Sequence, residues 1–116
     1  MPKETSVRFS QIGSALIAEI RGEIDHHTAK PLREEIDRKM YALSPKEVTI
    51  ALSGVGFMDS AGLGLIIGRL VTAKEVGCTL TLTGVDARTM RIFEMAGLER
   101  MRGLTIFSQE KGKNVK

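Results

Sequence analysis

The apolar positions change period along the chain. Val7 and Phe9 alternate with polar neighbours, and a second short run, ALIAEI over 15–20, follows Gly13. This pattern predicts two strands, over 6–10 and 15–20, joined by a tight connection through Gln11 to Ser14 as a hairpin. Gly22 closes the second strand. Ala29, Leu32, Ile36, Met40 and Leu43 then recur at spacings of three and four, which writes one apolar stripe on a helix. Thr28 is placed to cap that helix, Pro31 falls in its first turn, and Ser44-Pro45 stops it.

Val48 to Leu52 (VTIAL) is a continuous apolar run, as expected of a strand covered on both faces. The stretch SGVGFMD reads as a loop. A second helix carries Leu63, Ile66, Ile67, Leu70 and Val71 on one side and ends at Gly77. Thr79 to Thr83 is a further strand. A third helix covers about Ala87 to Ala96, with Met90, Phe93 and Leu98 inward and Gly97 as its stop. Leu104 to Phe107 forms a last strand. The order is β-β-α-β-α-β-α-β, so the chain is α/β. Its sheet is mixed and mostly parallel, with an antiparallel hairpin strand at the N-terminus. One domain spans 1–116, with an ordered core over about 5–107 and a polar tail over 108–116.

Composition removes several classes. The chain has 116 residues, 42% of them hydrophobic and 27% charged. This is ordinary for a globular domain and unlike a disordered, collagen-like or disulfide-stapled chain. A single cysteine, Cys78, allows no internal disulfide and fits a reducing compartment. The best apolar run, Leu63 to Val71, is short and contains Arg69, so no membrane span is expected. The first residues, MPKETSVRF, hold no signal-peptide apolar region, and a cytoplasmic location is the simplest expectation. Most of the net charge of +3 comes from the C-terminal portion, where Lys111, Lys113 and Lys116 read as solubilising. With no Trp, one Tyr and four Phe, the chain lacks a basic stripe with stacking aromatics, so no direct nucleic-acid partner is expected.

The chemistry concentrates in Phe57-Met58-Asp59-Ser60-Ala61-Gly62-Leu63-Gly64. This stretch joins the C-terminal end of a buried strand to a helix, where α/β sheets favour ligands and partners. Ser60 falls at the helix start, a position that accommodates an anion such as a phosphate. One reading is that Asp59 or Ser60 is simply an N-cap. Gly62, Gly64 and Gly68 point further, because each costs roughly 0.8–1.0 kcal/mol against Ala inside a helix. That cost suggests close backbone approach by the sheet or by a partner.

Other constellations are poorer. Gly62-x-Gly64-x-x-x-Gly68 has one residue too many for a dinucleotide fingerprint, although Asp86 sits at a tempting distance for a ribose contact. His26 and His27 beside Asp25 invite a metal, but adjacent side chains diverge and the chain has no further His. Cys78 reads as a small buried hydrophobe. No nucleophile, base and orienting group stand in a catalytic pattern, and Asp59 cannot easily turn back on Ser60.

Three blocks resemble a known family: Gly22-Glu-Ile-Asp-His-His-Thr-Ala29, Phe57-Met-Asp-Ser-Ala-Gly-Leu-Gly64 and Ile92-Phe-Glu-Met-Ala-Gly-Leu98. They are similar to bacterial anti-sigma factor antagonists, stand-alone STAS domains, and the first block leans toward the sporulation SpoIIAA type over the stress-response type. The resemblance runs from about Val7 to Phe107 and implies a STAS-like fold. It also implies a phosphoprotein that regulates transcription by partner switching. The unmodified form binds a cognate anti-sigma factor, a serine kinase carrying ATP or ADP, and frees the sigma factor. Phosphorylation of Ser60 ends binding, and a serine phosphatase resets the protein.

Asp25, His26, Asp59, Ala61, Gly62 and Leu63 are the interface residues this implies. Asp59 and Asp25 would make the docking surface strongly negative once Ser60 carries phosphate. The chain is then a kinase substrate and not an enzyme, with no cofactor and no metal. Two positions depart from the family pattern. Ala61 replaces a second hydroxyl residue common after the acceptor. The tail from Ser108 to Lys116 is short and polar, with Val115 its only large apolar residue, where relatives usually end in a helix. The alternatives are a small nucleotide- or ligand-binding STAS-like regulatory module and a generic unmodified interaction domain.

Overall fold

A computed structural model of the protein describes residues 5–109. The elements are β1 (Ser6–Ile12), β2 (Ala15–Ile24), α1 (Ala29–Leu43), β3 (Glu47–Met58), α2 (Ser60–Val76), β4 (Thr79–Val85), α3 (Ala87–Met95), a 3₁₀ turn (Leu98–Arg100) and β5 (Leu104–Ser108). The expected polar tail, with its lysines and any final helix, lies outside the described residues beyond 109. Ser108 itself belongs to β5.

The five strands stand in the order β1-β2-β3-β4-β5, with β1 antiparallel to β2 and every later neighbour parallel. Each parallel step moves one strand in the same direction. A right-handed crossover at each step therefore puts α1, α2 and α3 on the same face. The register builds rows across that face: Phe9, Ala18, Ile50, Leu82 and Ile106 in one, Leu16, Val48, Leu80 and Leu104 in another. These rows meet Leu32, Ile36 and Met40 of α1, Leu65, Ile66 and Leu70 of α2, and Phe93 and Leu98 in a single core. Burying each such large side chain contributes about 1.5–3 kcal/mol.

The opposite face is open. Its central row, Ser10, Ile17, Thr49, Thr81 and Thr105, is part-buried or exposed throughout. This corrects the expectation that VTIAL is covered on both faces. Val48, Ile50 and Leu52 point at the helices, while Thr49 and Ala51 lie on the open side. The apolar run mimics a doubly covered strand because Thr and Ala suit a part-exposed sheet position.

Two more expectations are revised. The glycine-rich stretch after Leu52 is not a loop: β3 runs to Met58 and β2 to Ile24, paired as Arg21 with Gly54, Gly22 with Val55, Glu23 with Phe57 and Ile24 with Met58. Register shifts interrupt this pairing, as bulged strands do. Gly54 allows it, since a Cβ there would come within 2.9 Å of the Arg21 side chain and 3.1 Å of the Ile20 carbonyl. The buried side of α2 is also rotated from the expected one. It is formed by Gly62, Leu65, Ile66, Arg69, Leu70, Thr72 and Ala73, while Leu63 and Ile67 are only part-buried and Val71 is 55% exposed. Between the sheet and α1, α2 is covered over a wide arc, and its apolar residues go most of the way round.

On α1, Leu32, Ile36 and Met40 are buried, but Leu43 at the end of the predicted stripe is exposed. The helix stops at Ser44, which adopts a left-handed conformation (φ 41°) before Pro45. The stops at Gly77 and Gly97 both have φ 77°, the left-handed geometry glycine favours after a helix.

Candidate functional site at the start of α2

The ends of β2 and β3 are stitched together where α2 begins. The Asp59 N–H donates to the Ile24 carbonyl at 3.1 Å, so the loop after β2 lies beside the first turn of α2. Asp59 is the N-cap, with an extended backbone, and its Oδ1 accepts from the Ala61 N–H at 2.7 Å. The Asp59 carbonyl accepts from the Gly62 N–H at 2.9 Å. Ser60 is the first helical residue and is exposed. The Asp59 carboxylate therefore already occupies the anion seat at the helix N-terminus. A group attached to Ser60 would project beside that carboxylate and not replace it.

The loop after β2 is held by its own side chains. Asp25 Oδ1 accepts from the N–H groups of His27 (2.9 Å) and Thr28 (3.0 Å). These donors, Thr28 first, hold the Asp25 carboxyl below its ordinary pKa. The Thr28 hydroxyl does not cap α1 as expected. It donates to the Glu23 carbonyl at 2.9 Å and accepts from the Asp25 N–H at 2.9 Å. Thr28 closes the turn that precedes the helix, and this use competes with capping.

Between the first halves of α1 and α2 lies a cleft of about 370 Å³, lined by His26, Ala29, Lys30, Arg33, Ala61, Gly64 and Leu65. The structure thus brings His26 and Ala61 to one surface. Asp25, Asp59 and Leu63 are part-buried nearby in the chain, while Gly62 is buried against Met58. Lys30 and Arg33 were not singled out from the sequence, whereas Gly64 was, as one of the helix glycines. Lys30 and Arg33 lie three apart on the polar side of α1, a spacing that places them on one face. The surface around Ser60 therefore carries both signs of charge, Asp25 and Asp59 on one side and Lys30 and Arg33 in the cleft.

The three helix glycines separate into two kinds. A Cβ at Gly62 would run into the Met58 side chain, so a larger residue there forces Met58 aside. Around Gly64 and Gly68 a Cβ would meet nothing within 4 Å. Asp86, the carboxylate considered for a ribose, caps α3 by accepting from the Thr89 N–H at 2.8 Å. The His26 and His27 rings lie 4.0 Å apart, so the two side chains do not diverge as expected, and among the described residues no three His, Cys, Asp or Glu side chains come together to hold a metal. Cys78 is buried, and burial pushes its thiol pKa up. No helix among the described residues is long and apolar enough to cross a membrane.

The STAS domain model matches residues 6–112. The anti-sigma F factor antagonist of Paenibacillus polymyxa is 32% identical over 83 residues, covering 72% of this chain and 71% of the relative. The anti-sigma-B factor antagonist of Bacillus subtilis is 36% identical over 80 residues, covering 69% of this chain and 72% of the relative. Among solved structures, the unphosphorylated anti-sigma factor antagonist SpoIIAA superposes with a TM-score of 0.74 at 20% identity, over 95% of each chain. It shares the single α/β domain and the mixed sheet. The chain belongs to the STAS domain family, among the anti-sigma factor antagonists.

Proposed function

We propose that the chain is an anti-sigma factor antagonist whose unmodified form binds an anti-sigma factor serine kinase, and that phosphorylation of Ser60 switches binding off. The observation that carries this reading is the position of Ser60: exposed, first in α2, and next to a carboxylate already fixed as the cap. A phosphate there adds about −1.5 to −2 charges at pH 7 beside Asp59. With the cap seat taken, the new charge stays on the docking surface, which now repels what it had matched.

Partner contact would run from Ser60 over Ala61 and the cleft beside Gly64, with Asp25, His26, Asp59 and Leu63 around it. Gly62 would act from below by letting α2 sit close to Met58. The open space at Gly64 and Gly68 supports close approach by a partner to the backbone of α2. A serine phosphatase would restore the unmodified form. The chain is a substrate in this scheme and performs no catalysis.

Incubation with an anti-sigma factor serine kinase and Mg-ATP tests the assignment. The expected product carries one phosphate, mapped to Ser60 by peptide mass spectrometry. Modification of Ser44, Ser53 or Thr89 with Ser60 untouched overturns it.

A further inference from the structure

Among the described residues nothing pairs with the outer edge of β1, and that edge is well formed. β1 is an outermost strand, it pairs with β2 over seven consecutive residues without a bulge, and five of its seven residues are exposed. It contains no proline and only one charge, Arg8, so it carries few of the devices that block edge pairing. The other edge, β5, has five residues and an irregular register. Beside β1 runs a groove against α1, made of two adjoining hollows of about 440 and 410 Å³ that share Val7 and Glu35. Phe9, Arg38, Lys39 and Ala42 line the second hollow, and Lys39 Nζ lies 5.5 Å from the centre of the Phe9 ring.

We propose that β1 pairs antiparallel with β1 of a second copy of this chain, joining two five-stranded sheets edge to edge. A symmetric dimer needs a self-complementary surface, and the groove provides one. The α1 crossover runs antiparallel to β2, and so alongside β1 in the same sense. A two-fold axis through the pairing therefore sets the two α1 helices antiparallel across the joined grooves. With Val7 of one copy opposite Phe9 of the other, Glu35 of each faces Lys39 of the other, and apolar side chains meet along the floor. Opposite charges across such a contact favour this register over others. One unfavourable contact is Arg8 with its own counterpart on the open face, where its register partner on β2 is Glu19. The interface is small, so association is weak and dependent on concentration. Ser60 lies beyond β3, two strands from this edge, and remains free, so the dimer does not depend on the switch proposed above.

Light scattering and sedimentation of the full chain test this between about 10 μM and about 1 mM. The mass should rise toward twice the monomer value. Glu35→Lys and Lys39→Glu should each weaken association by about tenfold or more, while the double swap returns it to within about threefold. An equimolar mixture of the two single variants should associate more tightly than either does alone. Arg8→Ser should tighten the dimer. Circular dichroism melting of each variant confirms that the fold persists. A chain that stays monomeric throughout, or a dimer indifferent to both charge swaps, overturns the proposal.

Discussion

The Met58 side chain, at the end of β3, fills the space into which a Cβ on Gly62 would project. Strand and helix meet there with no room for a side chain on the helix, and this contact fixes how close the first turn of α2 sits to the sheet. Ser60 is two residues before Gly62, so the same contact sets the height of the candidate acceptor above the sheet edge.

The three glycines of α2 should respond to alanine in opposite directions. Gly62→Ala forces Met58 aside, which costs about 1–3 kcal/mol as overpacking, offset by about 0.8–1.0 kcal/mol of helix propensity. A net loss is expected. Gly64→Ala and Gly68→Ala meet nothing within 4 Å and should each stabilise by about 0.5–1 kcal/mol. Urea unfolding midpoints at unchanged m-value are the measurement. A stability loss at Gly64 or Gly68 would mean their freedom serves the fold. If they serve a partner, both variants bind the anti-sigma kinase less well while melting higher.

The element order and the sheet topology were readable because each element repeats its pattern. The stripe at Leu32, Ile36 and Met40 keeps one period over about two turns of α1, and β2 alternates without a break from Leu16 to Ile20. The end of β3 was not readable. Gly54 and Gly56 are loop residues by propensity, and only the pairing with Arg21 to Ile24 holds them in a strand. The same kind of tertiary override applies to Thr28, a good cap by type, whose hydroxyl is used within the turn. The position of Ser60 at the start of α2 was legible. The basic cleft beside it was not, because Lys30 and Arg33 reach Ala61 and Gly64 only through the packing of α1 on α2.

Asp37 and Arg69 form a polar seam in that packing, and removing the acid should cost more than removing the base. Arg69 is 4% exposed, with Nε 2.8 Å from Asp37 Oδ1. Its Nε and Nη1 are buried without a well-aligned hydrogen bond. Burial pulls the Arg69 pKa down, and the Asp37 charge opposes this. Asp37→Ala strands the guanidinium and also deprives Thr72 of a 2.9 Å acceptor. The expected cost is roughly 2–4 kcal/mol. Arg69→Met keeps volume and removes the buried charge, so it should cost under about 1 kcal/mol or stabilise. Thermal and urea unfolding of both variants decide the order, and a larger loss for Arg69→Met would refute it.

Asp25 should make stability depend on acid pH. Its folded pKa lies below the ordinary 3.8, chiefly through the Thr28 and His27 N–H donors. A depressed carboxyl contributes stability that is fully present above the unfolded pKa and is lost as pH falls through the folded value. Asp25→Asn keeps an acceptor oxygen but removes the charge. The wild-type advantage over this variant should therefore be constant from about pH 7 down to about pH 5, then shrink toward zero below 3.8. Urea midpoints of the pair across that range measure it. A difference that grows on acidification would contradict the assigned hydrogen bonds.

Ser60 variants separate a switch from a scaffold residue. Ser60 is exposed and Asp59 provides the cap, so Ser60→Ala removes one hydroxyl and should change stability by less than about 0.5 kcal/mol. It should still bind the anti-sigma kinase. Ser60→Asp should also fold, because an acid in the first helical turn gains from the helix dipole what it loses beside Asp59. Its binding should fall, since an unpaired charge enters a contact built around a neutral hydroxyl. That costs on the order of 2–5 kcal/mol, a loss of roughly 30-fold to several thousand-fold in affinity. Aspartate carries less charge than a phosphate, and Lys30 and Arg33 in the neighbouring cleft offset part of it, so the lower end of that range is expected. Calorimetric titration of wild type, Ser60→Ala and Ser60→Asp against the ADP-loaded kinase is the measurement. Equal affinity for all three, at equal melting temperatures, would place Ser60 outside the contact and end the charge-switch account.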